Sequence, residues 1–281
     1  EDVAWAVARA FYIASTGRPG PVVLDFTKNA QVEQIENYEP KVVDYVRSYL
    51  PEPDTDPLSL VKATQLINEA KKPFVLVGQG IELGGASQEL KDFIEKGDMP
   101  CGCTLLGLSV IPSDHPLNRG MLGMHGNLAT NVKTNECDLL IAVGMRFDDR
   151  VTGDLKTYAK QAKIIHLDID PTEIDKNVKV DVAVLGDCKK TLKKLTIMMK
   201  ANHHKEWIDS FTPYYEKEYN EVINKEINPG KGPILMGEVV NAVSEATGHQ
   251  AVLVTDVGQN QMISARYFKY TLNRSIVTSG G

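Results

Sequence analysis

Apolar residues recur at helical spacing through Val3, Ala6, Val7, Ala10, Phe11 and Ile13, which predicts a helix over residues 2–15. Gly17-Arg-Pro-Gly-Pro21 then predicts a turn, and Val22–Phe26 a short strand. One helix and one strand cannot bury their own apolar faces, so this opening calls for a further layer. Residues 31–56 are acidic and carry prolines at Pro40, Pro51 and Pro53, the composition of a linker. From Pro57 the pattern turns regular. A helix over 57–71, a buried strand Phe74–Gly78, a glycine loop and a helix near 86–96 come first. Strands at Cys101–Leu105, Leu139–Gly144, Ile164–Ile169 and Val182–Leu185 follow, then a basic helix over 187–200. Short apolar strands alternating with helices predict an α/β fold: a parallel sheet flanked by helices on both faces.

Residues 201–232 are polar, with one helix expected over Lys205–Lys225 and a breaker at Asn228–Pro233. A second unit then begins: a helix over Ile234–Thr247, a strand Ala251–Thr255 and a turn Asp256–Asn260. The expected layout is therefore one whole domain over 57–200, a partial α/β unit over 1–30 and another over 233–281, joined by linkers 31–56 and 201–232. Residue 1 falls in mid-helix without an initiator methionine, and Ser279-Gly280-Gly281 closes the chain just after an apolar run. Both ends read as cut, so a piece of a longer protein is expected.

Composition narrows the classes without choosing among them. A net charge of −6 gives no support to a nucleic-acid surface, and the pairs Lys189-Lys190 and Lys193-Lys194 sit at the spacing of a solvated helix face. The four cysteines (101, 103, 137, 188) lack metal-site spacing and are expected to be reduced. No signal peptide and no membrane-length apolar stretch is present, so the chain reads as cytoplasmic with no membrane partner.

The candidate chemistry lies at strand ends. Gly144-Met-Arg-Phe-Asp-Asp-Arg-Val-Thr-Gly153 follows the apolar run Leu139–Val143, placing Arg146 and Arg150 around Asp148 and Asp149 at a strand's carboxyl end. That is where open α/β sheets bind ligands. Two arginines in one turn offer forks for a diphosphate; the bland alternative is a self-contained surface ion pair of at most about 1 kcal/mol. Gly78-Gln-Gly80 with Gly84-Gly85 sits between a strand and a helix and lets backbone approach a diphosphate, or simply makes a turn. Leu122-Gly-Met-His-Gly126 offers His125 and Met124 to a ring, and Asp168, Asp170 and Asp187 put acids at two further strand tips, the usual ribose acceptors. No Gly-x-Ser-x-Gly, no Walker loop and no His-Glu-x-x-His occurs. The chain offers binding chemistry, with no catalytic residue and no metal ligand to be picked from it.

Gly17–Val22, Gly123–Gly126, Arg146–Gly153, His166–Pro171 and Asp256–Met262 together resemble, in order and over essentially all 281 residues, the large catalytic subunit of acetolactate synthase (acetohydroxyacid synthase). Arg146-Phe-Asp-Asp-Arg-Val-Thr-Gly153 resembles the FAD-dependent branch of the thiamine-diphosphate enzymes. The resemblance implies the tail of a pyrimidine-binding domain over 1–30, a Rossmann-like FAD-binding central domain over 57–200 and the start of a diphosphate-binding domain over 233–281. It implies that Arg18 reaches the flavin from the first domain's edge, and that Gly78, Gly80, Thr104, Leu105, Leu122, Met124 and His125 line the FAD groove. Gly144, Arg146, Asp148, Arg150 and Val151 are implied at the diphosphate and ribityl region, and Asp168, Ile169 and Asp187 at the ribose and adenine end. Val257, Gly258, Gln259 and Asn260 match the turn touching thiamine diphosphate, with Asn260 where the family has histidine and Ile263 where it has tryptophan.

The implied reaction condenses two pyruvates, or pyruvate and 2-oxobutyrate, with loss of CO2, in isoleucine and valine biosynthesis. The resemblance implies FAD, thiamine diphosphate and Mg2+ as cofactors, a homodimer or tetramer, and a regulatory small subunit. The thiamine-activating glutamate would lie before residue 1 and the magnesium ligands after residue 281, so this chain alone is expected to be inactive. Two other readings compete. A generic dinucleotide-binding module explains 57–200 without the flanking motifs; a catalytically silent scaffold, or a non-flavin carboligase or decarboxylase relative, that keeps the central domain but loses the cofactor predicts substitutions at Arg146, Asp148 and Arg150, and all three residues are intact.

Overall fold

The computed structural model describes residues 2–35 and 37–280; Glu1, Glu36 and Gly281, which fall within the expected segments 1–30, 31–56 and 233–281, lie outside the described residues. The chain divides into two compact units, 1–54 and 55–281. In the first unit, α1 (Val3–Ser15) forms as its periodicity predicts, yet none of its residues is buried, and Trp5 and Phe11 stand in solvent. The strand expected at Val22–Phe26 is absent. Residues 21–27 run without ladder partners, and a strand needs a neighbour to receive its backbone groups. A short helix, α2 (Lys28–Val32), follows instead.

The second unit opens with α3 (Pro57–Glu69). Asp56 caps it through Leu58 N at 3.0 Å, and Pro57 occupies the first turn, where its missing N–H costs nothing. The sheet elements then run β1 (Pro73–Val77), α4 (Gln79–Leu83), α5 (Ser87–Gly97), β2 (Cys101–Cys103) and β3 (Asn118–Met121). After them come α6 (Leu128–Thr134), β4 (Leu139–Val143), α7 (Asp149–Thr152), β5 (Lys163–Asp168), β6 (Val182–Leu185) and α8 (Cys188–Met198). The six strands form one parallel sheet in the order β3-β2-β1-β4-β5-β6, with helices on both faces, as the alternating pattern predicts. Four of these elements escaped the sequence reading. β3 is the polar-looking Asn-Arg-Gly-Met, α6 is only two turns long, α4 makes a helical turn of the expected glycine loop, and α7 is a single turn within the Arg146–Gly153 segment.

Strand residues alternate between two cores, as a period of two requires. Val75, Val77, Ile141, Val143, Ile165 and Leu167 face Leu90, Phe93, Ile94, Leu192 and Leu195 from α5 and α8. Phe74, Leu76, Leu140, Ala142 and Ile164 face the other way, against Ala129, Tyr158, Trp207 and Phe211. Each such fully buried large side chain contributes roughly 1.5–3 kcal/mol of transfer free energy.

Trp207 and Phe211 belong to the polar segment after β6, where the single expected helix is broken into α9 (Lys205–Asp209), α10 (Thr212–Glu218), a wide π-helical turn Tyr219–Ile223 and α11 (Asn224–Ile227). The first break falls beside Pro213, which has no N–H to continue the ladder. Trp207 donates Nε1–H to Pro73 O at 2.8 Å, and its ring lies 5.0 Å from the Lys133 ammonium, itself paired with Glu136 at 2.7 Å. Trp207→Phe keeps most of the packing and strands that carbonyl. The urea midpoint should fall by the equivalent of about 1–3 kcal/mol with an unchanged m-value; no change would mean that α9 merely lies on the sheet.

The chain ends in α12 (Met236–Ala246), β7 (Leu253–Val254), α13 (Gln259–Tyr267) and β8 (Ile276–Val277), with β7 and β8 paired in parallel as a separate two-stranded sheet. Among the described residues no helix is long and apolar enough to cross a membrane.

Candidate nucleotide site

Because all six strands run parallel, their carboxyl ends share one edge of the sheet. The chain order reverses between β1 and β4, which makes their carboxyl ends the switch point at which open α/β sheets bind nucleotides. Gly78 and Gly80 leave β1; Gly144, Arg146, Asp148, Arg150 and Val151 leave β4. Thr104 and Leu105 follow β2, Leu122, Met124 and His125 follow β3, Asp168 and Ile169 end β5, and Asp187 ends β6. Thus fifteen residues chosen from sequence for one ligand occupy one edge. Arg18 lies in the first unit, exposed, in the turn after α1.

The two central loops touch backbone to backbone. Gly78 N donates to Val143 O at 3.0 Å and Gly80 N to Gly144 O at 2.9 Å. A Cβ on Gly78 would sit 2.1 Å from Gly144 O, and Gly144 itself holds φ +57°, which favours glycine. The glycines permit this close loop-to-loop contact at the switch point.

Next to them the Arg146 segment forms the single-turn helix α7. Asp148 caps it, accepting from Arg150 N at 3.1 Å and Val151 N at 3.2 Å through one carboxylate oxygen. Its other oxygen lies 3.6 Å from Arg146 Nη2, a long pairing for a guanidinium that is 43% exposed. Among the described residues the Arg150 guanidinium has one partner, Met124 Sδ at 3.9 Å. Two half-exposed arginines thus retain most of their donors, which suits a diphosphate, while Asp148 is in large part a structural cap.

Met124 and His125 are brought to the same place. Met124 N donates to Arg150 O at 2.8 Å, and both side chains are exposed. Asn131, which the sequence reading missed, brackets this loop by accepting from Gly123 N and donating to Gly123 O, each at 2.9 Å. It sits on α6, a helix too short to announce itself by periodicity. At the far end Asp168 is nearly buried: one oxygen accepts from Asp170 N at 2.9 Å and the other lies 3.6 Å from His166 Nε2. Asp187 caps α8 through Lys190 N at 2.9 Å.

Cys188 donates Sγ–H to Gly80 O at 3.2 Å, and burial pushes its thiol up to about 12. Burial likewise pushes Cys103 and Cys137 up to about 12 and Cys101 well above the ordinary thiol range, so all four cysteines are packing residues. Among the described residues no cluster of His, Cys, Asp or Glu is placed to hold a metal ion.

Val257 and Gly258 lie between β7 and α13, and Gln259 and Asn260 open α13. Gly258, at φ +125°, precedes the first turn of α13, whose first N–H groups have no intrahelical acceptor, while Asn260 Oδ1 accepts from Gln261 N.

Residues 60–195 match the family described as thiamine pyrophosphate enzyme, central domain. Over its whole length the chain is 41% identical to a probable acetolactate synthase large subunit of Methanocaldococcus jannaschii, of which it covers 49%. It is likewise 37% identical to the acetolactate synthase large subunit of Corynebacterium glutamicum, covering 45%, and 35% identical to the chloroplastic acetolactate synthase 1 of Zea mays, covering 44%. The chain spans about half the length of the curated relatives it matches.

Proposed function

We propose, from the premise that this chain is homologous along its whole length to acetolactate synthase large subunits and holds a thiamine pyrophosphate enzyme central domain over 60–195, that its nucleotide edge binds FAD. The observation that carries this reading is the placement of Arg146 and Arg150 at the β1/β4 switch point with most of their donors unused. In it, Gly78, Gly80, Gly144, Arg146, Asp148, Arg150 and Val151 form the diphosphate and ribityl stretch. Thr104, Leu105, Leu122, Met124 and His125 flank the flavin, and Arg18 is assigned to the same cofactor from the family resemblance alone. Asp168, Ile169 and Asp187 mark the ribose and adenine end.

The same reading assigns 1–30 to the end of a pyrimidine-binding domain and 233–281 to the start of a diphosphate-binding domain, with linkers 31–56 and 201–232. Val257, Gly258, Gln259 and Asn260 would face the phosphates of thiamine diphosphate, where N–H groups without intrahelical acceptors at a helix start suit an anion. Thiamine diphosphate with Mg2+ supplies the carbanion chemistry when bound. The proposed activity of the whole protein is condensation of two pyruvates to 2-acetolactate, or of pyruvate with 2-oxobutyrate, in a cytoplasmic oligomer with a regulatory small subunit. The chain's own residues bind and orient cofactors, and the chain alone is expected to be inactive.

Titration of the 281-residue chain with FAD, read by flavin fluorescence and thermal shift with NAD as control, tests the site. Saturable FAD binding should stabilise the fold by about 2.7 kcal/mol at a hundredfold excess over Kd. Binding of NAD without FAD would replace the flavin reading by a generic dinucleotide module.

A further inference from the structure

The loop carrying Met124 and His125 is held from behind by an ion pair that no motif announces. Glu218, the last residue of α10, has only 6% of its side chain exposed. One of its oxygens pairs with Arg266 Nη2 on α13. The other accepts from Leu128 N at 3.1 Å and Asn127 Nδ2 at 3.4 Å, where the loop enters α6. Arg266 Nη1 in turn donates to Gly126 O at 3.4 Å. The carbonyl of Gly126 and the amide of Leu128 are thus gripped by opposite members of one charge pair. Charge-assisted hydrogen bonds in a desolvated setting are the strong ones, and a carboxylate at the start of α6 also meets the favourable end of that helix's dipole. Directly after Glu218 the chain widens into the π-helical turn Tyr219–Ile223, an irregularity frequent at functional positions. The α10 side of the grip is fixed independently, since Tyr215 Oη donates to Arg119 O at 2.9 Å and Phe211 is fully buried.

We propose that Glu218 and Arg266 are positioning residues: a clamp that ties helix α13, which begins at the Gln259–Asn260 turn, to the Gly123–Leu128 loop and so sets Met124 and His125 at the nucleotide edge. Its consequence for ligand affinity rests on the FAD reading above; the clamp itself does not.

The pair can be opened in two ways that separate positioning from stability. Arg266→Met leaves a buried, unpaired carboxylate and should lower the urea midpoint strongly. Glu218→Met with Arg266→Met removes that charge and should recover much of the midpoint. In the double variant, NMR-detected hydrogen exchange of the Leu128 amide should still be accelerated at least about tenfold, while amides of β1 and β4 keep their protection. FAD affinity should be weakened about tenfold, because the flanking loop no longer starts in its binding geometry. Unchanged Leu128 exchange in the double variant overturns the clamp, whatever FAD does. Accelerated exchange in a chain whose parent form does not bind FAD supports the clamp and overturns the flavin reading alone. Accelerated exchange with undiminished FAD affinity overturns the assignment of the clamp to the nucleotide edge.

Discussion

Gly78→Ala should cost about 3 kcal/mol of stability or more, at or beyond the upper end for overpacking and among the largest effects of any single methyl group added to this chain. Overpacking a core typically costs about 1–3 kcal/mol because side chains can rotate away. Here the added Cβ would meet Gly144 O at 2.1 Å, Met145 Cβ at 2.4 Å and Gly144 C at 2.6 Å, and two of those three are main chain. Relief requires separating the β1 and β4 exits, which breaks Gly78 N→Val143 O and Gly80 N→Gly144 O and leaves buried backbone groups unpaired. The two switch-point loops would move apart, so nucleotide affinity should fall together with the urea midpoint. Gly232→Ala is the matched control: nothing lies within 4 Å of its Cβ and its φ is unexceptional. It should be neutral or stabilise by up to about 1 kcal/mol through the unfolded chain. Equal effects at the two positions would refute the backbone-contact account.

That contrast marks what the sequence makes legible. Both glycines look alike in a string of letters, and a Gly-x-Gly after a strand reads equally as a phosphate cradle or as close backbone packing. Only the partner strand, 66 residues further on at Gly144, decides between them. The strands themselves were legible because apolar runs such as Phe74–Val77 and Leu139–Val143 leave few alternatives once both faces must be buried. Asn118–Met121 was illegible for the converse reason: at the sheet's edge it needs little apolar character, and its strand identity comes from pairing with Cys101 and Cys103. The Val22–Phe26 run errs in the opposite direction, having strand composition with no neighbour to pair with. Position along the edge was readable, since a parallel sheet sends every carboxyl end the same way. Which carboxylates are already engaged was not: Asp148 and Asp187 look like ligand acids and each spends an oxygen on capping the helix it begins.

The arginines follow the reverse logic, and they carry the second large effect. Arg150→Ala should weaken FAD binding by one to two decades, since a charge-assisted hydrogen bond contributes about 1.5–3 kcal/mol and tenfold in Kd is about 1.4 kcal/mol. Arg146→Ala should act in the same range, and the double substitution should exceed either alone. Stability should hardly move. Among the described residues the Arg150 guanidinium has a single weak contact, to Met124 Sδ, and Arg146 faces Asp148 at 3.6 Å, an exposed pairing of the kind that contributes little. The separation between affinity and stability is what distinguishes a ligand-facing guanidinium from a self-contained surface pair, for which both quantities would stay flat. Arg150→Lys sharpens the point: it keeps the charge and loses the planar fork, so it should recover only part of the lost affinity. Isothermal titration of the parent chain and the four variants with FAD, each with its urea midpoint measured without ligand, reads both axes at once. Full recovery by lysine would mean that the edge senses charge alone. An unchanged Kd in the double variant would remove the Arg146–Gly153 segment from the site and leave the switch point without its anion-binding groups.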